Sequence, residues 1–325
     1  MREVRFYRYG EGADSQWCFV RLPSSYGLSS APHPFVICNH GNGWTMDGSE
    51  RTANFTSKTQ YGVDRQRRGM YISASTDGFR LYSNPLIEAL LDAGFIVCGA
   101  QNGGDQLYGN ERCRQACAAF YRHMRATYRV MERCCMLGAS NGFMTTLNSF
   151  ALLGSEAVSA IVGLYPLCNL HHAFRHTHRE QVKQAYGIVT DEDKEFGEKT
   201  AGSDPCCRDW RGWSIKPERR PPALLIWSAQ DRALPMAEHA VRWGELYRTN
   251  GSVAEWIRVD GQEGQTARDV RSMHDGQVAQ QAQAQSQAHL TSVEAVAVDE
   301  VECGHGDWRH FRQGDIVQWF QTKGG

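Results

Sequence analysis

The sequence predicts an α/β protein with a mostly parallel central sheet flanked by helices. Three observations carry this. Short continuous apolar runs recur at Pro34–Asn39, Phe95–Gly99, Cys134–Gly138, Val158–Leu164 and Ala223–Ser228. Unbroken runs of that length suit strands buried on both faces of a parallel sheet. Helical stretches of ten or more residues separate several of them, as right-handed crossovers between parallel strands require. Glycine-containing turns follow two of the runs, at His40-Gly-Asn-Gly43 and Gly138-Ala-Ser-Asn-Gly142.

The remaining elements follow in order. Val4–Tyr9 and Gln16–Leu22 are rich in aromatic and β-branched residues and flank the turn cluster Gly10-Glu-Gly-Ala-Asp14. They read as an antiparallel edge. Residues 44–80 are polar and irregular and read as a loop excursion. Asn84–Ala93 reads as a helix with Leu86, Ala89, Leu90 and Ala93 on one face, stopped by Gly94. Glu111–Met131 and Asn141–Leu153 read as helices, and Pro235 opens another over Met236–Tyr247. Ile316–Gln321 is a last short helix.

Two segments interrupt the alternation. Residues 168–220 carry histidines, acids and prolines and are expected to form a lid inserted over the C-terminal edge of the sheet. Residues 261–290 are a Gln/Ala-rich, low-complexity excursion. Two strand-like pieces flank it, Ser252–Gly261 and Ser292–Glu300. Either they pair with each other or only one is the last strand of the sheet. Residues 1–325 are otherwise expected to form one domain.

Composition excludes several classes. Lys+Arg number 35 and Asp+Glu 36, a formal net charge of −1. No block of basic residues offers a surface to nucleic acid or anionic lipid, and the groups Arg65–Arg68 and Arg219–Arg220 read as solvated loops. No apolar stretch is long enough to span a membrane, and the N-terminus has no apolar signal core, so a cytoplasmic location is expected. The 11 cysteines are an odd count, several lie in the apolar runs, and none forms a CxxC pair. Free, buried thiols fit that pattern better than disulfides or a structural zinc site.

The chemistry concentrates at four points. Gly138-Ala-Ser140-Asn-Gly142 follows a strand and opens a helix. A sharp strand-to-helix turn needs small residues on both sides of the serine, and it exposes the hydroxyl beside a helix N-terminus. Ser140 is therefore the candidate nucleophile, against the alternative of an ordinary glycine-rich turn. A serine hydroxyl needs a base. His305, in Cys303-Gly-His-Gly-Asp-Trp308, sits in a glycine-flanked loop near the chain end, whereas His274 lies in the low-complexity excursion. Asp231, in Gln230-Asp-Arg-Ala-Leu-Pro235, directly follows the last apolar run and can orient the imidazole. Its alternative role is to cap the following helix. Asp307 is too near His305 in sequence, and Asp204 is a weaker alternative. The turn at Gly41-Asn42-Gly43, with the N–H of Asn141, can supply oxyanion donors without a side chain in the way. His40 reads as a brace for that turn.

With the order Ser140, Asp231, His305, the sequence resembles the α/β-hydrolase superfamily. The resemblance covers the His-Gly oxyanion turn, the Gly-x-Ser-x-Gly elbow, the acid after a late strand and the terminal Gly-His. It implies an α/β-hydrolase fold, with Ser140 as nucleophile, Asp231 as acid, His305 as base and Gly41, Asn42 and Asn141 as backbone oxyanion donors. The elbow also looks somewhat like the Ser-Asn-Gly elbow of polyhydroxybutyrate-depolymerase and feruloyl-esterase-like members. The stretch between Asp231 and His305 is longer than is usual there, and the 261–290 segment accounts for much of the excess.

The expected activity is hydrolysis of a small-molecule or oligomeric carboxylic ester through an acyl-enzyme, with no cofactor. A serine peptidase of prolyl-oligopeptidase type shares the triad order, although 325 residues leave no room for a propeller. A non-catalytic binding protein on the same fold is the other alternative. Trp44, Tyr108, Tyr165 and Trp308 flank the catalytic turns and are candidate substrate contacts, although aromatics more often serve the core. Asn102-Gly-Gly-Asp105 is not a dinucleotide fingerprint. His172 and His176 have the spacing of a metal-binding pair, but Ala173, Phe174 and Arg175 lie between them, so a polar lid helix is the simpler reading and no metal is expected.

Overall fold

The structure, a computed structural model, describes residues 4–42, 46, 84–104, 108–207, 215–259, 305 and 310–324. The apolar runs become strands: β1 (Val4–Tyr9), β2 (Gln16–Arg21), β3 (Phe35–Asn39), β4 (Ile96–Ala100), β5 (Cys134–Ala139), β6 (Val158–Leu164), β7 (Ala223–Trp227) and β8 (Ala254–Arg258). They form one sheet in the order β1-β2-β4-β3-β5-β6-β7-β8. β1 and β2 run antiparallel to their neighbours, and every pairing from β4 to β8 is parallel.

Helices cover both faces, which is why β3 to β7 can be apolar throughout. On one face, α1 (Pro85–Asp92) and α8 (Gln313–Lys323) pack Leu86, Leu90, Ile316 and Phe320 against Val36, Cys38, Val97 and Leu137. On the other face lie α2 (Glu111–Thr127), α3 (Asn141–Leu153) and α7 (Arg242–Thr249), the last entered through a π-helical turn, Ala237–Val241. Their Phe120, Phe143, Leu147 and Trp243 meet Ile37, Cys98, Met136 and Leu225. Strand residues alternate between the two cores, as the period of two demands. Cys38, Cys98 and Cys134 are free thiols buried in these cores. No helix among the described residues is long and apolar enough to cross a membrane.

The chain between β6 and β7 forms α4 (Leu170–His172), a π-helical turn (Ala173–Thr177), α5 (Arg179–Tyr186) and α6 (Asp193–Thr200). A third apolar cluster holds it to the sheet's C-terminal edge. Leu170, Phe174, Val182 and Phe196 from this segment join Met144, Leu167, Leu234 and Tyr108.

Some local expectations are corrected. The helix from Glu111 ends at Thr127 rather than Met131, because Tyr128 turns extended and Val130 pairs with His33 as an isolated bridge. The buried side of α1 is Leu86, Ile87, Leu90 and Leu91. The larger side chains take the sheet contact, and Ala89 and Ala93 are only half-buried at the margin. α8 runs a turn longer than Ile316–Gln321, since its polar first turn faces solvent. Of the two strand-like pieces, the first forms β8, parallel to β7. The second piece, the 261–290 excursion and nearly all of the 44–80 loop lie outside the described residues.

Candidate active site

β5 runs into α3 at Ser140, whose backbone takes φ 52° and ψ −123°. That conformation is unfavourable for a residue with a Cβ and costs about 1–3 kcal/mol. The close contacts around it explain the flanking glycines. A Cβ on Gly138 would lie 2.6 Å from Phe143 Cα, and one on Gly142 would lie 2.1 Å from the Asn39 carbonyl oxygen. α3 therefore starts hard against the end of β3. Three backbone bonds hold the turn: Ser140 N–H donates to Leu164 O (3.0 Å), and Ser140 O accepts from Phe143 (3.0 Å) and Leu167 (3.1 Å).

Asp231 follows β7 and is 5% exposed. Its Oδ1 accepts the backbone N–H groups of Ala233 and Leu234, both at 2.9 Å. Its Oδ2 lies 2.8 Å from His305 Nδ1. Burial pushes the Asp231 carboxyl up, but the hydrogen bond and charge of His305, the Leu234 N–H and His310 more than offset this, so the group sits below the usual carboxylate range. A carboxylate only accepts, so Nδ1 of His305 carries the ring proton. Nε2 then presents its lone pair to Ser140 Oγ, 2.9 Å away. The three groups, far apart in sequence, form one hydrogen-bonded line at the C-terminal edge of the sheet. The strand expected to lead into His305 falls outside the described residues.

The turn after β3 lies beside this line. His40 is 7% exposed, with Nδ1 2.8 Å from Gly41 O and Nε2 3.0 Å from Gln101 O. It ties the turn to the end of β4. A buried relay makes a second tie: Asn102 Nδ2 donates to Asn39 Oδ1 (2.9 Å), Asn39 Nδ2 to Thr146 Oγ1 (2.9 Å), and Thr146 Oγ1 to Gly142 O (3.1 Å). The end of β3 is thus tied to the start of α3, where helix geometry leaves the Asn141 N–H without an intrahelical acceptor. Sequence reasoning missed the relay, because three polar residues scattered over the chain carry no local signal.

The other expected contacts divide. Tyr165 packs edge-on to His305, ring centroids 4.8 Å apart. Tyr108 is 1% exposed within the third apolar cluster, its ring 5.9 Å from His178. Trp44, Gly43 and Trp308 lie outside the described residues. Asn102, Tyr108, Ser140 and Tyr165, the non-glycine residues at positive φ among those described, all sit on loops at this edge. Asp204 accepts from the backbone of His171 (2.9 Å) and Cys206 (3.0 Å). His171 pairs with Asp193 at 2.8 Å, while His172 turns inward to His239 at 3.2 Å. Among the described residues no group of three or more His, Cys, Asp or Glu is arranged to hold a metal.

No family model matches the sequence, and no curated protein matches it. Solved structures do. The chain is similar to an acylaminoacyl peptidase of Pyrococcus horikoshii at TM-score 0.59 and 12% identity, over 99% of this chain and 42% of that one. It is similar to a prolyl endopeptidase at 0.55 and 14%, over 79% and 34%. A puromycin hydrolase S511A mutant gives 0.55 and 16%, over 79% and 35%. The chain has the α/β-hydrolase fold, and it spans well under half the length of these neighbours.

Proposed function

We propose that the chain is a serine hydrolase acting through an acyl-enzyme. One observation carries this reading: the continuous line Ser140 Oγ, His305 and Asp231, with separations of 2.9 and 2.8 Å. In the proposed reaction His305 Nε2 takes the Ser140 proton as Oγ attacks the substrate carbonyl. Asp231 holds the ring in the Nδ1–H tautomer and stabilises the imidazolium. The backbone N–H groups of Gly41, Asn42 and Asn141 receive the oxyanion, each donor contributing about 3 kcal/mol to the transition state. His305 then protonates the leaving group and activates the water that releases the acid. These steps draw on no cofactor.

The solved neighbours, named as peptidases and a puromycin hydrolase, favour an amide or peptide substrate over the carboxylic ester. Both reactions pass through the same tetrahedral intermediate, so the ester stays in the test. Tyr165, Tyr108, Trp44 and Trp308 are proposed substrate contacts, and residues 168–220 a lid. A non-catalytic binding role gives no reason for a strained serine in line with a histidine and a buried carboxylate. The test is intact-mass spectrometry after fluorophosphonate treatment, followed by matched peptide-amide and ester panels. One adduct on the wild type, absent from Ser140→Ala, is expected, with amides turned over. No adduct on folded wild type overturns the reading, and turnover of esters alone restores the ester assignment.

A further inference from the structure

His239 lies on the π-helical turn before α7 and is fully buried. Its Nδ1 is 3.3 Å from both the Cys168 N and the Asn169 N. Backbone amides only donate, so Nδ1 must offer its lone pair, and the proton of the neutral ring resides on Nε2. That nitrogen is 3.2 Å from His172 Nδ1, which must accept. The backbone therefore determines the tautomers of both rings. His172 in turn lies against His176, ring centroids 4.6 Å apart.

The loop that His239 grips is the one that seats the triad. Leu167, next to Cys168, donates its N–H to Ser140 O at 3.1 Å, and Tyr165 of the same loop packs against His305. Asn169 fastens the loop further, donating from Nδ2 to Glu238 O (3.0 Å) and accepting from His172 N–H at Oδ1 (2.9 Å). The backbone N–H of His239 reaches Pro235 O at 3.2 Å, a few residues beyond the turn that Asp231 closes. One short segment, residues 231–239, thus carries both the acid of the triad and the strut under the serine.

We infer that His239 is a positioning residue for Ser140: as a neutral imidazole it holds the loop after β6 and ties that loop to His172 of the inserted segment. The inference rests on the serine-hydrolase reading above. Burial and the neighbouring His172, with His178 and His305 adding to them against Asp231, push the His239 imidazolium down to about 3, so the ring keeps its lone pair well below neutral pH. A phenyl ring would fill the same space but leave two buried N–H groups without an acceptor.

The test compares His239→Phe, His239→Asn and His239→Gln in the full chain. An asparagine oxygen can stand where Nδ1 stands; a glutamine amide reaches the Nε2 position instead. The readouts are the fluorophosphonate labelling rate at Ser140, melting temperature, and hydrogen exchange of the Cys168 and Asn169 amides. Phe and Gln are expected to slow labelling by about ten- to a hundredfold, the range set by a displacement near 1 Å. Asn is expected to stay within about threefold of wild type, a difference on the scale of a few tenths of a tenfold step. Exchange at the two amides should quicken in Phe and Gln but not in Asn. Labelling that follows melting temperature alone, with Gln rescuing as well as Asn, overturns the inference. If Phe does not fold, the Asn-against-Gln comparison decides. If the wild type takes no label, the serine-hydrolase reading falls, and unchanged exchange in Phe separately overturns the strut.

Discussion

Replacing Gly142 by alanine perturbs the serine turn without touching a reacting group. The added Cβ would stand 2.1 Å from Asn39 O and 2.6 Å from His40 O, where ordinary van der Waals contact begins at 3.4 Å. Both opposing atoms are backbone, so no rotamer change relieves the clash. The start of α3 and the end of β3 must part by roughly 1 Å. That is the interface between the proposed oxyanion turn and the proposed nucleophile, and a 1 Å error there costs on the order of a hundredfold in rate. The overpacking itself costs about 1–3 kcal/mol of stability. Gly197 is the control, inside α6 with nothing within 4 Å of the place an added methyl group would take and no positive φ. Gly197→Ala should gain about 0.5–1 kcal/mol from helix propensity and label at the wild-type rate. The assay pairs the fluorophosphonate labelling rate with thermal melting for both variants. If Gly142→Ala labels as fast as wild type, the geometric account of the turn is wrong.

Two further outcomes are expected. Asp231→Asn keeps the shape of the acid loop but removes the charge that sets the His305 tautomer, so turnover should fall about 10⁴-fold with a small change in melting temperature; a loss under tenfold would remove Asp231 from the proposed triad. Stability should fall on acidification, because folding holds His239 at about 3, below its ordinary 6.5. A depressed histidine stabilises the fold fully above 6.5 and loses that contribution as pH drops toward 3, with a ceiling on the order of 5 kcal/mol. His123, His172 and His178 are also lowered by burial and add to the slope. Asp231, lowered in the fold, joins as pH falls through its ordinary value of 3.8, where the unfolded chain takes up a proton that the folded one does not. Melting curves between pH 4 and 6.5 should therefore be flatter in His239→Phe, and equal slopes would count against the buried neutral ring.

The strands and the serine turn were legible in the sequence because their signals are local. Apolar runs such as Val158–Leu164 need burial on both faces wherever the chain places them, and Gly138 and Gly142 flank Ser140 because neighbouring backbone leaves no room for a Cβ. Capping was equally local: Asn84 accepts from Ile87 N–H at 3.0 Å to start α1, and Gly94 at φ 90° ends the turn after it. The boundary of α2 was not, since Tyr128 leaves the helix to bond the Tyr7 hydroxyl at 3.2 Å, a partner more than a hundred residues away.

By itself the sequence determined the α/β alternation, the serine elbow and the residue types able to complete a triad. Only the tertiary structure decided that Ala254–Arg258 joins β7 as β8, which face α1 buries, and that Asn39, Asn102 and Thr146 form one relay beneath the elbow. It alone brought His239 under the loop that seats Ser140. The physical reason is the range of the forces. Propensity, capping and steric exclusion act within a few residues, whereas hydrogen bonds between buried polar groups are chosen only when strands assemble and water leaves.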